Sequence, residues 1–254
     1  MKNIDKVIVL GAGGTGSLLI SALARYLNSA GFDGSLMIID GDSYSNTNVD
    51  RQLFGVNAIG QNKAEYQSKV LEAHLPNFAA RCVKFLGEYV GKDDIESLVT
   101  ENTVVINCTD NVAARKYVED RVLALDNATH ICCGNELNTG QVQIHHRKDG
   151  RSITPSIYDR IPKFNSTADE RETMSCEELA ALPGGGQLIV ANMMAATLAL
   201  MYMIQISSPK NPIYLNGEWV PNDSVWFNTQ MGSFTMEGTR TVDFERIQNA
   251  AKGL

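Results

Sequence analysis

Two cations and two carboxylates, Arg51, Lys63, Asp40 and Asp110, could do chemistry together because a glycine loop, Gly11-Ala12-Gly13-Gly14-Thr15-Gly16, precedes them. Arginine offers a planar fork for two oxygens, and lysine a mobile point charge. Reaction at the α-phosphate of a triphosphate needs such cations, because charge shifts onto the leaving pyrophosphate. Taken singly, either residue reads equally as a solvated surface cation. Asp40 ends a strand, where a carboxylate can accept hydrogen bonds from ribose hydroxyls or simply cap a turn. Asp110 follows the buried run Val104-Val105-Ile106-Asn107-Cys108, at the edge of a sheet where ligands bind. Its oxygens suit Mg²⁺. Asn111 beside it is equally the start of an Asx turn. The set describes a pocket for a ribose, a triphosphate and a metal ion, which points to ATP.

Alternating strands and helices must position these residues. Val7–Leu10 reads as a buried strand that turns at the loop into a helix over Ser17–Asn28. Gly11, Gly13, Gly14 and Gly16 let backbone approach a phosphate at the helix N-terminus, though a tight turn without a ligand has the same glycines. Strands follow at Leu36–Ile39, Cys82–Leu86, Val104–Asn107, His130–Cys133 and Gln141–His146. Helices are expected at Lys63–His74, Ile95–Val99 and Ala113–Leu123. The pattern implies an α/β fold, a Rossmann-like doubly wound sheet that is mostly parallel, with antiparallel strands in the C-terminal part. Asn216-Gly217 marks a hairpin, and Ser224–Asn228 a further strand. The whole chain, 1–254, reads as a single domain. Residues 1–150 form the nucleotide-binding half, 151–186 a mobile crossover loop, and 187–254 a buried helix and C-terminal strands.

Composition narrows the classes. A net charge of -7 argues against a general nucleic-acid binder. The five cysteines, at 82, 108, 132, 133 and 176, form no disulfide framework and no Cys-x-x-Cys pair, so a reducing cytoplasm is expected and zinc is not. The uncharged run Leu188–Ile206 has the length of a membrane span but lacks its flanking pattern, so a buried helix in the core or at a subunit interface is expected, and no membrane. The neighbours His145 and His146, like Cys132 and Cys133, should point to opposite faces of a strand and pack one in, one out. Trp219, Trp226 and Phe227 read as core aromatics, with a docking surface as the alternative.

With these residues in place, the chain resembles the ThiF/MoeB superfamily of adenylating enzymes related to ubiquitin-activating enzyme. The resemblance rests on Gly11–Gly16, Asp40-Gly41-Asp42, Asn48-Val49-Asp50-Arg51-Gln52, Gly60-Gln61-Asn62-Lys63 and Thr109-Asp110-Asn111, in that order, across roughly residues 6–145. It implies that Asp40 binds the ribose, that Asn48, Arg51 and Lys63 bind the phosphates, and that Asp110 binds Mg²⁺, with Asp42, Gln52 and Asn111 in the same motifs. It also implies an ATP-dependent adenylyltransferase that activates the C-terminal carboxylate of a small ubiquitin-like or sulfur-carrier protein, acting as a homodimer. Thr173-Met174-Ser175-Cys176 resembles the segment where many relatives place a cysteine, and Cys176 is a candidate for a thioester or acyl-persulfide. A compact, plasmid-associated subgroup, the PRTRC group, is similar.

The departures matter as much. The paired Cys-x-x-Cys zinc ligands of many relatives are absent. So is a counterpart to an N-terminal arginine that reaches into the partner's ATP site; Arg115, Arg151, Arg160 and Arg171 are the candidate substitutes. An NAD-dependent oxidoreductase using the same loop leaves Arg51, Lys63 and Asp110 unexplained. A catalytically silent nucleotide-binding module is the other rival. Adenylation of a peptide or tRNA carboxylate is a variant of the first reading.

Overall fold

The computed structural model describes residues 3–135, 138–161, 189–207, 214–215, 218–219, 224–229 and 232–237. Strand β1 (Lys6–Leu10) is buried from Val7 onward, as a strand covered on both faces must be. It leads through the glycine loop into α1 (Gly14–Ser29), and β2 (Ser35–Ile39) follows. Two short 3-10 turns, Asn46–Asn48 and Val56–Ala58, carry the chain to α2 (Lys63–His74), α3 (Pro76–Cys82) and β3 (Val83–Leu86). Then come α4 (Lys92–Leu98), β4 (Thr103–Asn107), α5 (Val112–Leu123), β5 (Ala128–Asn135) and β6 (Thr139–Lys148). The short β7 (Arg151–Ser152) and the single turn α6 (Ile157–Arg160) precede α7 (Ile189–Ser207). Last are the pair β8 (Tyr214–Leu215) and β9 (Glu218–Trp219), then β10 (Ser224–Asn228) and β11 (Ser233–Glu237).

The main sheet runs β11-β10-β6-β5-β4-β1-β2-β3, with β7 paired to β6. From β3 to β5 every pairing is parallel, and β6, β10 and β11 add antiparallel strands. This is the expected Rossmann-like architecture. After β3 the chain crosses to the other side of β1, so the switch in strand order falls between β1 and β4, where such sheets bind ligands. Residues of α1, α2, α3 and α7 pack on one face of the sheet, and those of α4 and α5 on the other.

Several expectations need correction. Cys82 closes α3 instead of opening a strand; Pro76, pre-set for a first helical turn, starts that helix. Cys132 and Cys133 are both buried, because helices cover both faces of β5. Helix α7 is buried along one stripe only. Ala191, Ala195, Ala199 and Met203 face the core against α1, β5 and β6, while Ile189, Val190, Met193 and Met201 are exposed. Phe227 is buried but its neighbour Trp226 is exposed, as alternation on β10 requires. The side chain of Trp219 and residues 162–186 of the expected crossover lie outside the described residues.

A buried polar cluster fastens α5 to the sheet. Glu119 is fully buried; its Oε2 lies 2.8 Å from Nδ1 of His130 on β5, and its Oε1 lies 2.7 Å from Nδ1 of His145 on β6. The amide of Ile157 donates to the same Oε1 at 3.0 Å, and Nε2 of His145 meets the Ser152 hydroxyl at 3.0 Å. Burial alone would raise the Glu119 carboxyl, but hydrogen bonding with both histidines and their charges outweighs it and lowers the group to about 2. Burial alone would lower His130, yet its bonds to Cys132 and Glu119 raise it to about 9. The raised histidine contributes stability that is complete below its ordinary 6.5 and lost as pH rises to about 9. The depressed carboxylate contributes stability that is complete above its ordinary 4.5 and lost as pH falls to about 2. The contribution of the Glu119–His130 pair to unfolding free energy should therefore peak between pH 4.5 and 6.5 and fall on both sides. Glu119→Gln should flatten both limbs and cost about 3–5 kcal/mol within the window, measured by denaturant unfolding across pH.

Candidate nucleotide site

The loop after β1 needs its glycines for different reasons. Gly11 has a φ of +93°, and a Cβ on it would stand 3.1 Å from backbone atoms of Cys108 and Thr109. The loops after β1 and β4 therefore touch through backbone. A Cβ on Gly16 would meet the Gly11 carbonyl oxygen at 1.9 Å, so any side chain there would break the turn. Gly13 occupies the N-cap of α1 without a capping side chain, which leaves first-turn amides facing outward for an anion.

Asp40 sits at the end of β2 and braces this loop. One carboxylate oxygen accepts the Ala12 amide at 2.6 Å and the other accepts the Asp42 amide at 2.8 Å. Burial raises its pKa, opposed by those two amides and the charge of Lys63. A carboxylate has lone pairs left after two such bonds, so it can still accept ribose hydroxyls. Asp42 forms an ion pair with Lys63 at 3.1 Å, the lysine almost fully buried and the carboxylate half exposed. Lys63 opens α2, whose N-cap Asn62 accepts the Glu65 amide at 3.0 Å and donates to the carbonyls of Asp40 at 2.9 Å and Asp42 at 3.1 Å. One carboxamide thus sets the lysine's helix against both acidic residues. The hydroxyl of Tyr89, just past β3, donates to Asp42.

Arg51 and Gln52 lie just past the first 3-10 turn, between β2 and α2. Asn48, fully buried, caps that turn by accepting the Ser45 amide at 2.9 Å, and its carbonyl receives the amides of Arg51 and Gln52. Arg51 is buried, with Nε 3.5 Å from the Thr47 carbonyl; its Nη2 and the Gln52 Oε1 have no hydrogen-bond partner among the described residues. A buried guanidinium nitrogen without a partner is costly unless an anion meets it. Gln52 lies beside Gly13, its Nε2 3.7 Å from where a Cβ would stand.

Beyond β4, Asn107 accepts both the amide and the hydroxyl of Thr109, at 3.1 and 2.8 Å, and so bends the chain at the sheet edge. Asp110 comes next and is exposed. Asn111 caps α5 by accepting the Ala114 amide at 3.0 Å, which is the Asx role the sequence also allowed. Among the described residues no group of three His, Cys, Asp or Glu side chains converges as a metal cage.

The glycine loop, Asp40, Asp42, Lys63, Arg51, Gln52 and Asp110 thus share the carboxyl edge around the β1–β4 switch. Asn48 reaches the site through the turn it caps. Cys176 and Arg171 lie outside the described residues. Arg115 does not stand free as a substitute arginine: it donates to the Thr109 carbonyl at 2.6 and 3.0 Å and to the Cys133 carbonyl at 2.8 Å. Arg151 is on β7, which pairs with the far end of antiparallel β6, at the opposite edge of the sheet. Arg160 lies in α6, which is fastened to Glu119 and Asp120 well down α5 from the site. Sequence reading missed the struts Asn62, Asn107 and Asn192, and took Arg115 as a candidate substitute arginine where it braces two carbonyls. For Asn62 a signal existed, an Asn three residues before Glu65 at a helix start.

The ThiF family model matches residues 1–239. The molybdopterin-synthase adenylyltransferase of Escherichia coli is 35% identical over 115 residues, which cover 45% of this chain and 43% of that protein. The adenylyltransferase and sulfurtransferase UBA4 of Vanderwaltozyma polyspora is 26% identical over 226 residues, 89% of this chain and 48% of that protein. The chain therefore spans less than half of these relatives' length. Among solved structures, E. coli MccB with ATP superposes with a TM-score of 0.64 at 20% identity, covering 95% of this chain and 66% of that one. PaaA superposes with a TM-score of 0.64 at 18% identity, covering 94% and 65%. These structures share the fold, and the match along the sequence is with one family: the chain belongs to the ThiF family.

Proposed function

We propose that this protein is an ATP- and Mg²⁺-dependent adenylyltransferase that activates the C-terminal carboxylate of a small ubiquitin-like or sulfur-carrier protein. The observation that carries this is the pair of buried cations, Arg51 and Lys63, beside an uncapped helix N-terminus at the sheet's switch point. A dinucleotide pyrophosphate needs no such concentration of positive charge; a triphosphate about to lose pyrophosphate does. Relatives named as molybdopterin-synthase adenylyltransferase and ubiquitin-activating enzyme support the carrier-protein substrate.

In this reading the α1 amides and Gly13 receive the phosphates, and Asp40 accepts the ribose hydroxyls. A carboxylate oxygen of the carrier attacks the α-phosphorus, the bond to the pyrophosphate oxygen breaks, and acyl-adenylate and pyrophosphate result. Arg51 and Lys63 hold the oxygens on which charge accumulates. Asp110, an exposed hard-oxygen donor at the same edge, is the residue suited to hold Mg²⁺, which takes one or two carboxylates and completes its shell with phosphate oxygens and water. The ion, when bound, would neutralise charge on the leaving pyrophosphate. The exposed apolar stripe of α7 supports a homodimer, and the cysteine usage supports a cytoplasmic setting. Cys176 is retained as the candidate for a later covalent step with the carrier.

The test is ATP–pyrophosphate exchange with small carriers ending in Gly or Gly-Gly. Exchange should depend on the carrier; tight ATP binding without exchange for any carrier would favour the silent module. Asp110→Ala should abolish exchange and leave the melting temperature unchanged, since the residue is exposed. Wild-type exchange in that variant would remove Asp110 from the metal site. Arg51→Ala should lower exchange by about a hundredfold, as loss of a charge-stabilising donor commonly does.

A further inference from the structure

Resting on the nucleotide-binding reading above, we infer that Asn192 of α7 is a positioning residue that holds Arg51 in place for the phosphates of ATP. Asn192 is fully buried on a face of α7 otherwise lined by Ala191, Ala195, Ala199 and Met203. Its Nδ2 donates to the Arg51 carbonyl at 3.1 Å. Its Oδ1 accepts from Nδ2 of Asn135, at the end of β5, and from the Thr15 hydroxyl at 3.4 Å. One carboxamide therefore joins the first turn of α1, the carboxyl end of β5 and the Arg51 segment.

Gly14 is cut to fit it. A Cβ there would stand 2.6 Å from the Asn192 Nδ2 and 2.8 Å from its Cγ and Oδ1, so the carboxamide would have to leave this position. Gly14 thus makes room for a carboxamide as well as for a ligand.

The Arg51 segment needs such an anchor. Its neighbours Val49 and Leu53 are exposed, so little apolar burial holds it at Arg51 itself. On either side the chain is tied by the Arg51 and Gln52 amides donating to the Asn48 carbonyl, by the Leu53 amide donating to the Ser17 hydroxyl at 3.0 Å and by Gln67 Nε2 donating to the Leu53 carbonyl at 3.0 Å, while Asn192 meets the Arg51 carbonyl. The guanidinium adds little, its Nε standing 3.5 Å from the Thr47 carbonyl and its Nη2 having no hydrogen-bond partner among the described residues. Where the fork points is therefore set by the backbone, whose Arg51 carbonyl is held by Asn192. An aliphatic side chain would fill the same place on an apolar helix face without the desolvation a carboxamide suffers there. The amide is explained by what it positions.

The test is a double-mutant cycle on the full chain, read by equilibrium binding of ATP and of AMP, which lacks the phosphates that leave, together with melting temperature. Asn192→Leu should weaken ATP about tenfold, the scale of one buried hydrogen bond, and leave AMP affinity within about twofold. In an Arg51→Ala background the same substitution should cost no further ATP affinity. Unchanged ATP affinity, equal weakening of ATP and AMP, or a further loss without Arg51 would each overturn the inference. So would an Arg51→Ala variant that binds ATP normally, which would also remove Arg51 from the phosphate site. If the expected pattern holds but no carrier supports exchange, the adenylation reading fails and the role of Asn192 stands. Should Asn192→Leu not fold, Asn192→Ala carries the same cycle.

Discussion

The site depends on one close backbone approach. β1 and β4 run parallel in register, Leu10 opposite Asn107, so the loops that leave them start from the same height. Gly11 then passes Cys108 and Thr109 so closely that a Cβ would lie 3.1 Å from their backbone atoms. That contact needs an absent side chain and a left-handed φ at one position. Without it the glycine loop and the Asp110 loop would separate, and no phosphate could meet groups from both. Gly16 protects the same turn from the helix side, where any Cβ would strike the Gly11 carbonyl.

Around this contact, three carboxamides and one arginine hold the segments that carry the charged residues. Asn62 fixes the start of the Lys63 helix to the carbonyls of Asp40 and Asp42, Asn107 bends the chain toward Asp110, and Asn192 holds the carbonyl of Arg51. Arg115 joins the Thr109 carbonyl to that of Cys133 across the β4–β5 edge. A carboxamide suits such work because it donates and accepts at once, and brings no charge to compete with a phosphate.

What the sequence made legible follows from how local each signal is. The Lys63–His74 helix and the Ser224–Asn228 strand match α2 and β10 residue for residue, because a cap or turn signal and a clear period bound each. α1 starts at Gly14, earlier than the apolar spacing from Ser17 indicates, since glycine and threonine give that spacing no mark. Asp40, Lys63 and Asp110 could be read because each lies just past a strand or opens a helix, whereas the places of Arg51 and Gln52 were legible only through the resemblance. Asn192 could not be read: it meets the Arg51 carbonyl from 141 residues away, and within its own helix it is only a polar interruption. The Glu119 cluster was hidden for the same reason, because a strand pattern shows that His145 and His146 point to opposite faces but not which is buried or what it meets.

The two buried cations are not equivalent, and the difference bears on how the pocket is poised. Lys63 has Asp42 as a counter-charge, so its ammonium is compensated before any ligand arrives, and a phosphate would have to compete for it. The Arg51 Nη2 is buried with no hydrogen-bond partner among the described residues. A desolvated donor left unpaired is destabilising, and an anion placed against it removes that penalty as well as adding its own attraction. An anion at Arg51 would meet an unpaired donor, whereas one at Lys63 would have to share the ammonium with Asp42. Anchoring the arginine through its backbone carbonyl and pairing the lysine with a half-exposed carboxylate therefore gives the two buried cations different starting states.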